Sequence, residues 1–175
     1  MRHRIPALFA ALFALAFAIP AQAPAQGVAS LNGSYTYDAS ASDDVHQAIN
    51  TAVQRMNFAM RPIARGRLRK TNEPYKRVVI SNTQSQVSVA MDGRPAIVTP
   101  ANGTPVDWTR EDGEKLRVST EWENGTLEQT FKAEDGQRVN AYSVSPDGRT
   151  LTMNVTITSP RLPRPLTYKL VYRKA

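Results

Sequence analysis

Six Asp-Gly or Asn-Gly dipeptides, at Asp92-Gly93, Asn102-Gly103, Asp112-Gly113, Asn124-Gly125, Asp135-Gly136 and Asp147-Gly148, follow one another at intervals of ten to twelve residues. Both residues of such a pair tolerate positive φ, which suits the type I′ hairpin turn whose twist matches that of the strands it joins. Between successive turns there is room for one strand and none for the long crossover that parallel pairing requires. The second half of the chain is therefore predicted as an antiparallel up-and-down meander. No sequence repeat accompanies the spacing, which argues against a propeller or solenoid.

Side-chain alternation assigns the faces. Leu116, Val118, Thr120 and Trp122 share one side of a strand, with Lys115, Arg117, Ser119 and Glu121 on the other. Leu151, Met153, Val155 and Ile157 alternate with Thr152, Asn154, Thr156 and Thr158, and Leu166, Tyr168, Leu170 and Tyr172 with Thr167, Lys169 and Arg173. A sheet with one apolar face must bury it, and a long meander does so by curling into a barrel, which also removes its edges. The strand candidates are residues 33–38, 75–82, 86–91, 96–99, 106–109, 114–122, 127–132, 138–144, 150–158 and 166–173. The expected fold is mainly β, a barrel of eight to ten antiparallel strands. Interior width grows with strand number, so the higher count favours a cavity over a filled core.

After the first strand the period changes. Val45, Ala48, Ile49, Ala52, Val53, Met56, Met60 and Ile63 recur at three- and four-residue intervals, the stripe of an amphipathic helix. Ser42 is the expected N-cap, with Asp43 and Asp44 against the positive end of the helix dipole. Pro62 is expected to end or kink the helix and Gly66 to allow a second break, giving a long first helix and a shorter second turn within residues 42–70.

Arg2, His3 and Arg4 precede a thirteen-residue apolar run from Ala7 to Ile19, followed by the small residues Ala21, Ala23 and Ala25. This pattern reads as a secretory signal peptide cleaved after Ala25, since a membrane-spanning helix needs about 20 residues. Residues 26–175 then form one exported soluble domain, periplasmic or secreted. The absence of cysteine excludes disulfide staples, thiolate metal sites and cysteine nucleophiles.

No catalytic constellation is visible. His46, the one histidine beyond the leader, sits among polar residues in the first turn of the helix, and no Gly-x-Ser-x-Gly elbow supplies a nucleophile. Alternation puts Glu121 and Glu123 on the wet face beside Lys115 and Arg117. No catalytic residue, metal ligand or cofactor is assigned. Trp108, Trp122, Phe131, Tyr142, Tyr168 and Tyr172 are candidates to line a cavity, although aromatic residues more often fill a core. Tyrosine hydroxyls in an apolar interior would orient a polar ligand end.

Charge is unevenly distributed. Residues 55–77 carry eight basic side chains against Glu73 alone, whereas residues 92–147 hold eleven acidic and six basic ones. Arg61, Arg65, Arg67, Arg69 and Lys70 are candidates to dock the helical segment on an anionic membrane surface or an acidic envelope partner, each contributing about 1 kcal/mol near anionic lipid. The ordinary explanation is a solvated basic face. Nucleic acid is not expected in an exported chain with no aromatic RNA motif or zinc finger.

One strand, a helical pair and about nine meandering strands is the order seen in fatty-acid-binding proteins, and Gly33-Ser34-Tyr35 with Arg173 is similar to the Gly-x-Trp and late basic residue of lipocalins. The chain thus resembles the calycin group across nearly its whole mature length. Tyr35 stands in place of tryptophan, and Tyr168-Lys169-Leu170-Val171-Tyr172-Arg173 replaces the Arg-x-Tyr that holds a fatty-acid carboxylate. Ser145 to Thr152 also resembles a Ser-Pro-Asp-Gly-Arg-Thr-Leu-Thr stretch of secreted bacterial proteins, which brings no activity with it. The turn spacing, the one-sided alternation and the helices after the first strand lead us to expect a non-catalytic barrel, a monomer, for a small apolar or amphipathic, lipid-like ligand, with the basic helical segment near its entrance. The alternative is a filled barrel that serves as an interaction module for an acidic partner.

Overall fold

The computed structural model describes residues 31–175. The leader read in residues 1–25 lies outside them. β1 (Gly33–Tyr37) leads through a 3-10 turn into α1 (Val45–Val53) and α2 (Arg61–Thr71). Nine strands follow: β2 (Arg77–Asn82), β3 (Gln86–Met91), β4 (Ile97–Pro100), β5 (Val106–Thr109), β6 (Lys115–Glu123), β7 (Thr126–Ala133), β8 (Gly136–Val144), β9 (Thr150–Thr158) and β10 (Leu166–Lys174). They form one antiparallel sheet in the order β4-β3-β2-β1-β10-β9-β8-β7-β6-β5. Pairing of the first strand with the last, Tyr37 opposite Tyr172, rolls the meander into a nearly closed barrel.

The remaining seam lies between β4 and β5, which exchange no ladder. Away from the helices it is stitched shut, because Thr99 Oγ1 donates to Thr120 Oγ1 at 2.7 Å and Gly103 N to Thr120 O at 3.0 Å. Toward the helices the ion pair from Arg94 to Glu111, at 2.9 Å, spans the flanking turns. The helical pair and the Asp92, Asp112 and Asp135 turns share one end of the barrel, the cap end. The chain enters at Leu31 and leaves at Ala175 at the other.

Alternation places the core inside the barrel. Val78, Ile80, Val87, Val89, Leu127 and Leu151 are buried, while their neighbours in sequence face outward. The turns depart from expectation in detail. Only Asp92-Gly93 and Asn124-Gly125 have both residues at positive φ; at Gly103, Gly113 and Gly148 the glycine alone is there. Gly136 is not at positive φ, and its need is space: a Cβ would stand 2.6 Å from the carbonyl oxygen of Thr158.

The helices correct three expectations. Pro62 begins α2 rather than ending a helix, since a proline in the first turn forfeits only an N–H that has no partner there. Gly66 lies within unbroken helix, and α2, at eleven residues, is longer than α1, at nine. The N-cap of α1 is Asp44, whose side chain accepts from Gln47 N at 3.1 Å. Ser42 and Asp43 serve the barrel instead: Val171 N donates to Ser42 Oγ at 2.8 Å and Lys169 N to Asp43 Oδ2 at 2.7 Å. This lashes the segment along the outside of β10 and buries Val171 on the outer face.

Candidate ligand-binding chamber

A chamber of about 420 Å³ occupies the cap half of the barrel. Leu68 and Ala64 of α2 roof it, and Val89, Ile97, Leu116, Phe131 and Ile157 wall it. The Trp108 and Phe131 rings meet edge to face, with centroids 6.0 Å apart, in a small apolar cluster along the seam. Met60 and Ile63 line the mouth while 52% and 60% exposed, so an apolar path runs from the surface inward.

Among the described residues two arginines lining this space have no carboxylate partner, Arg67 at the mouth and Arg138 deep inside. Arg94 pairs with Glu111, Arg110 with Asp112 and Glu114, and Arg161 with Asp135. Arg138, on the inner face of β8, has no carboxylate partner among the described residues. Two amide oxygens hold it instead: its Nε donates to Asn140 Oδ1 at 2.7 Å and its Nη1 to Asn72 Oδ1 at 3.0 Å. Asn72 caps the end of α2 and is 3% exposed. Its Oδ1 also accepts from Tyr168 Oη at 2.9 Å, and its Nδ2 donates to Leu68 O at 2.8 Å. From Asn140 the chain of bonds continues inward, Asn140 Nδ2 donating to Tyr142 Oη at 3.2 Å and Tyr142 Oη to Gln129 Oε1 at 3.1 Å. This polar belt is the floor of the chamber.

Beyond the belt the barrel is filled. Leu31 plugs the far end, the Tyr35 hydroxyl donates to its carbonyl at 3.1 Å, and Leu127, Leu151, Met153 and Tyr172 pack above. Burial pushes the Tyr142, Tyr168 and Tyr172 hydroxyls above the ordinary tyrosine range, further from ionisation. Among the described residues the buried Tyr172 hydroxyl and Gln129 Nε2 have no hydrogen-bond partner.

Of the six aromatic residues singled out in the sequence, Trp108 and Phe131 line the chamber. Tyr142 and Tyr168 belong to the belt beneath it, and Tyr172 and Trp122 to the filled half. Arg138 was not singled out, although alternation through Arg138, Asn140 and Tyr142 puts all three on one face of the strand. The lipocalin-like pairing is also rearranged: Arg173 turns outward to Asp38, at 2.9 Å, while Lys174 stands opposite Tyr35; the Ser40 hydroxyl first, and then Arg173, hold the Asp38 carboxyl down at about 2. On α2, Arg61, Arg65 and Arg69 form one stripe whose Nε atoms are buried without a partner among the described residues, while Arg61 Nη2 donates to Met56 O at 3.1 Å; Arg67 borders the mouth, and Lys70 is exposed. Phe58, in the link between the helices, is 87% exposed beside them. Among the described residues no three His, Asp or Glu side chains converge as a metal site would need.

No family model and no curated protein matches this sequence. Solved structures do match its shape. The chain is similar to a secretary abundant heat soluble protein from Ramazzottius varieornatus at a TM-score of 0.59 and 11% identity, covering 83% of this chain and 96% of that one. It is similar to the REP1-NXSQ fatty acid transporter at 0.54 and 14%, covering 84% and 97%. Human cRBP IV matches at 0.50 and 18%, covering 83% and 98%. The fold is thus calycin-like, a ten-stranded barrel with the helical pair after the first strand.

Proposed function

We propose that this protein binds one small amphipathic, lipid-like ligand without chemical conversion, its apolar body in the cap-end chamber and an acidic head group at Arg138. The observation that carries the reading is an apolar chamber of about 420 Å³ with an uncompensated guanidinium at its floor. Ligand pockets commonly have this make-up, mostly apolar walls with a few convergent polar groups that fix orientation. The similarity to the REP1-NXSQ fatty acid transporter supports it. Binding is tested by native mass spectrometry of the protein purified from its host. A mass increment of one lipid-sized acidic molecule, lost in Arg138→Gln, is expected; a protein that carries nothing and takes up no apolar probe would contradict the reading.

The exposed Phe58, Met60 and Ile63, set among Arg55, Arg61 and Arg65, support a second element of the proposal: the cap touches an anionic bilayer, through which ligand enters or leaves. The apolar N-terminal run supports export, which puts such a surface in the cell envelope. Retention on vesicles containing phosphatidylglycerol that falls with salt and in Phe58→Asp is expected. Equal retention on neutral vesicles would refute the electrostatic part.

A further inference from the structure

Arg138 is held by two side chains that could each have been acids and are not. An aspartate at position 72 or 140 would have the same size and reach as the asparagine there and would ion-pair with the guanidinium in a partly buried setting, giving up the amide N–H bond to Leu68 O or Tyr142 Oη. Asparagine supplies the same acceptor oxygen at 3.0 and 2.7 Å with no charge. The guanidinium is therefore fixed in position by Nη1 and Nε, its remaining N–H groups are left for another partner, and its charge is not cancelled. Every other arginine bordering the chamber, Arg67 at the outer mouth excepted, already faces a carboxylate. The arrangement differs in origin on its two sides: Asn140 belongs to the barrel wall, whereas Asn72 arrives from the end of α2.

We infer that Asn72 and Asn140 set the charge preference of the chamber: as neutral holders of Arg138 they make it select an anionic ligand head over a neutral one. They are positioning residues that act through Arg138. The inference rests on the ligand-binding reading above and adds which residues decide ligand charge. Because Asn72 also ends α2, the same bond ties the helical cap to the group that meets the ligand head.

The test uses two dyes with the same apolar body, 8-anilino-1-naphthalenesulfonate and its neutral counterpart N-phenyl-1-naphthylamine, titrated by fluorescence into the full chain. The sulfonate keeps its charge across the accessible pH range, so any pH dependence belongs to the protein. Wild type is expected to favour the sulfonate on the order of tenfold, the scale of a charge-assisted hydrogen bond. Asn72→Asp and Asn140→Asp should each abolish that preference while leaving neutral-dye affinity within about threefold. Two variants on separate elements keep the test alive should one misfold, which circular dichroism would reveal. Persistence of the sulfonate preference in both folded variants would overturn the role of the amides while leaving the binding reading intact. If wild type binds both dyes equally, the charge preference itself falls; if it binds neither, the ligand-binding reading fails with it.

Discussion

The two halves of the barrel are built from the same strands and the same alternation, yet one is hollow and the other solid. The difference lies in what closes each end. At the far end Leu31 folds into the barrel and Asn32 fixes it there, its Oδ1 accepting from Asn82 N at 2.7 Å. Tyr35 and Tyr172 then fill the width. At the cap end the roof is a helix that stands over the opening with Ile63, Ala64, Arg67, Leu68 and Thr71 on the chamber, and Trp108 and Phe131 line the wall along the seam without closing it. A period-two pattern thus decides which residues face in, and the end pieces decide whether they meet.

This contrast is sharpest in core truncation. Met153→Ala in the filled half is expected to cost about 2–5 kcal/mol, because the cavity it leaves cannot collapse, whereas Phe131→Ala at the chamber wall should cost less than about half of that. Urea denaturation measures both, and equal costs would mean the two halves are packed alike. A pair of hydroxyl deletions comes next. Tyr142→Phe strands Gln129 Oε1 and Asn140 Nδ2 and should destabilise by about 1–2 kcal/mol, while Tyr172→Phe removes a hydroxyl with no partner and should be neutral or stabilising by about 1 kcal/mol.

Smaller effects separate the roof from the barrel. A Cβ at Gly66 meets nothing within 4 Å, so Gly66→Ala should stabilise the cap by about 0.5–1 kcal/mol and slow amide exchange in α2 without altering exchange in the filled half. On the outer wall Glu128 faces Glu121 across the ladder, and burial first, then Glu123 and Glu121, raises its carboxyl above the ordinary value. A carboxyl raised on folding costs stability once pH exceeds its folded value and regains it as pH falls toward the unfolded one. Glu128→Gln should therefore stabilise by a few tenths of a kcal/mol, roughly, at neutral pH, a gain that disappears under acid conditions in thermal melts.

The strands were legible because turn chemistry and alternation are local. All ten appear, with ends shifted by no more than about two residues, as helix and strand boundaries commonly are. The helical pair was legible as a pair but not in its joints. Pro62 reads equally as a stop or as a start, and the choice falls on the start because the chain between Val53 and Arg61 must turn back over the barrel mouth. Ser42 looks like a cap until β10 offers its backbone. Arg138 is not legible in the sequence for a physical reason: a charged residue on an inward-facing position contradicts the expectation of an apolar interior, and only the neutral amides from β8 and the distant α2 explain how it is accommodated. Position 72 gives no sign in sequence that it will reach β8.

The most direct test of a hollow cap half over a solid far half is methyl NMR during titration with 8-anilino-1-naphthalenesulfonate. Shifts confined to Met56, Leu68, Val89, Leu116 and Ile157, with Leu31, Leu127, Leu151 and Met153 unmoved, are the result the structure leads us to expect. Shifts spread through both sets, or restricted to the far set, would contradict it.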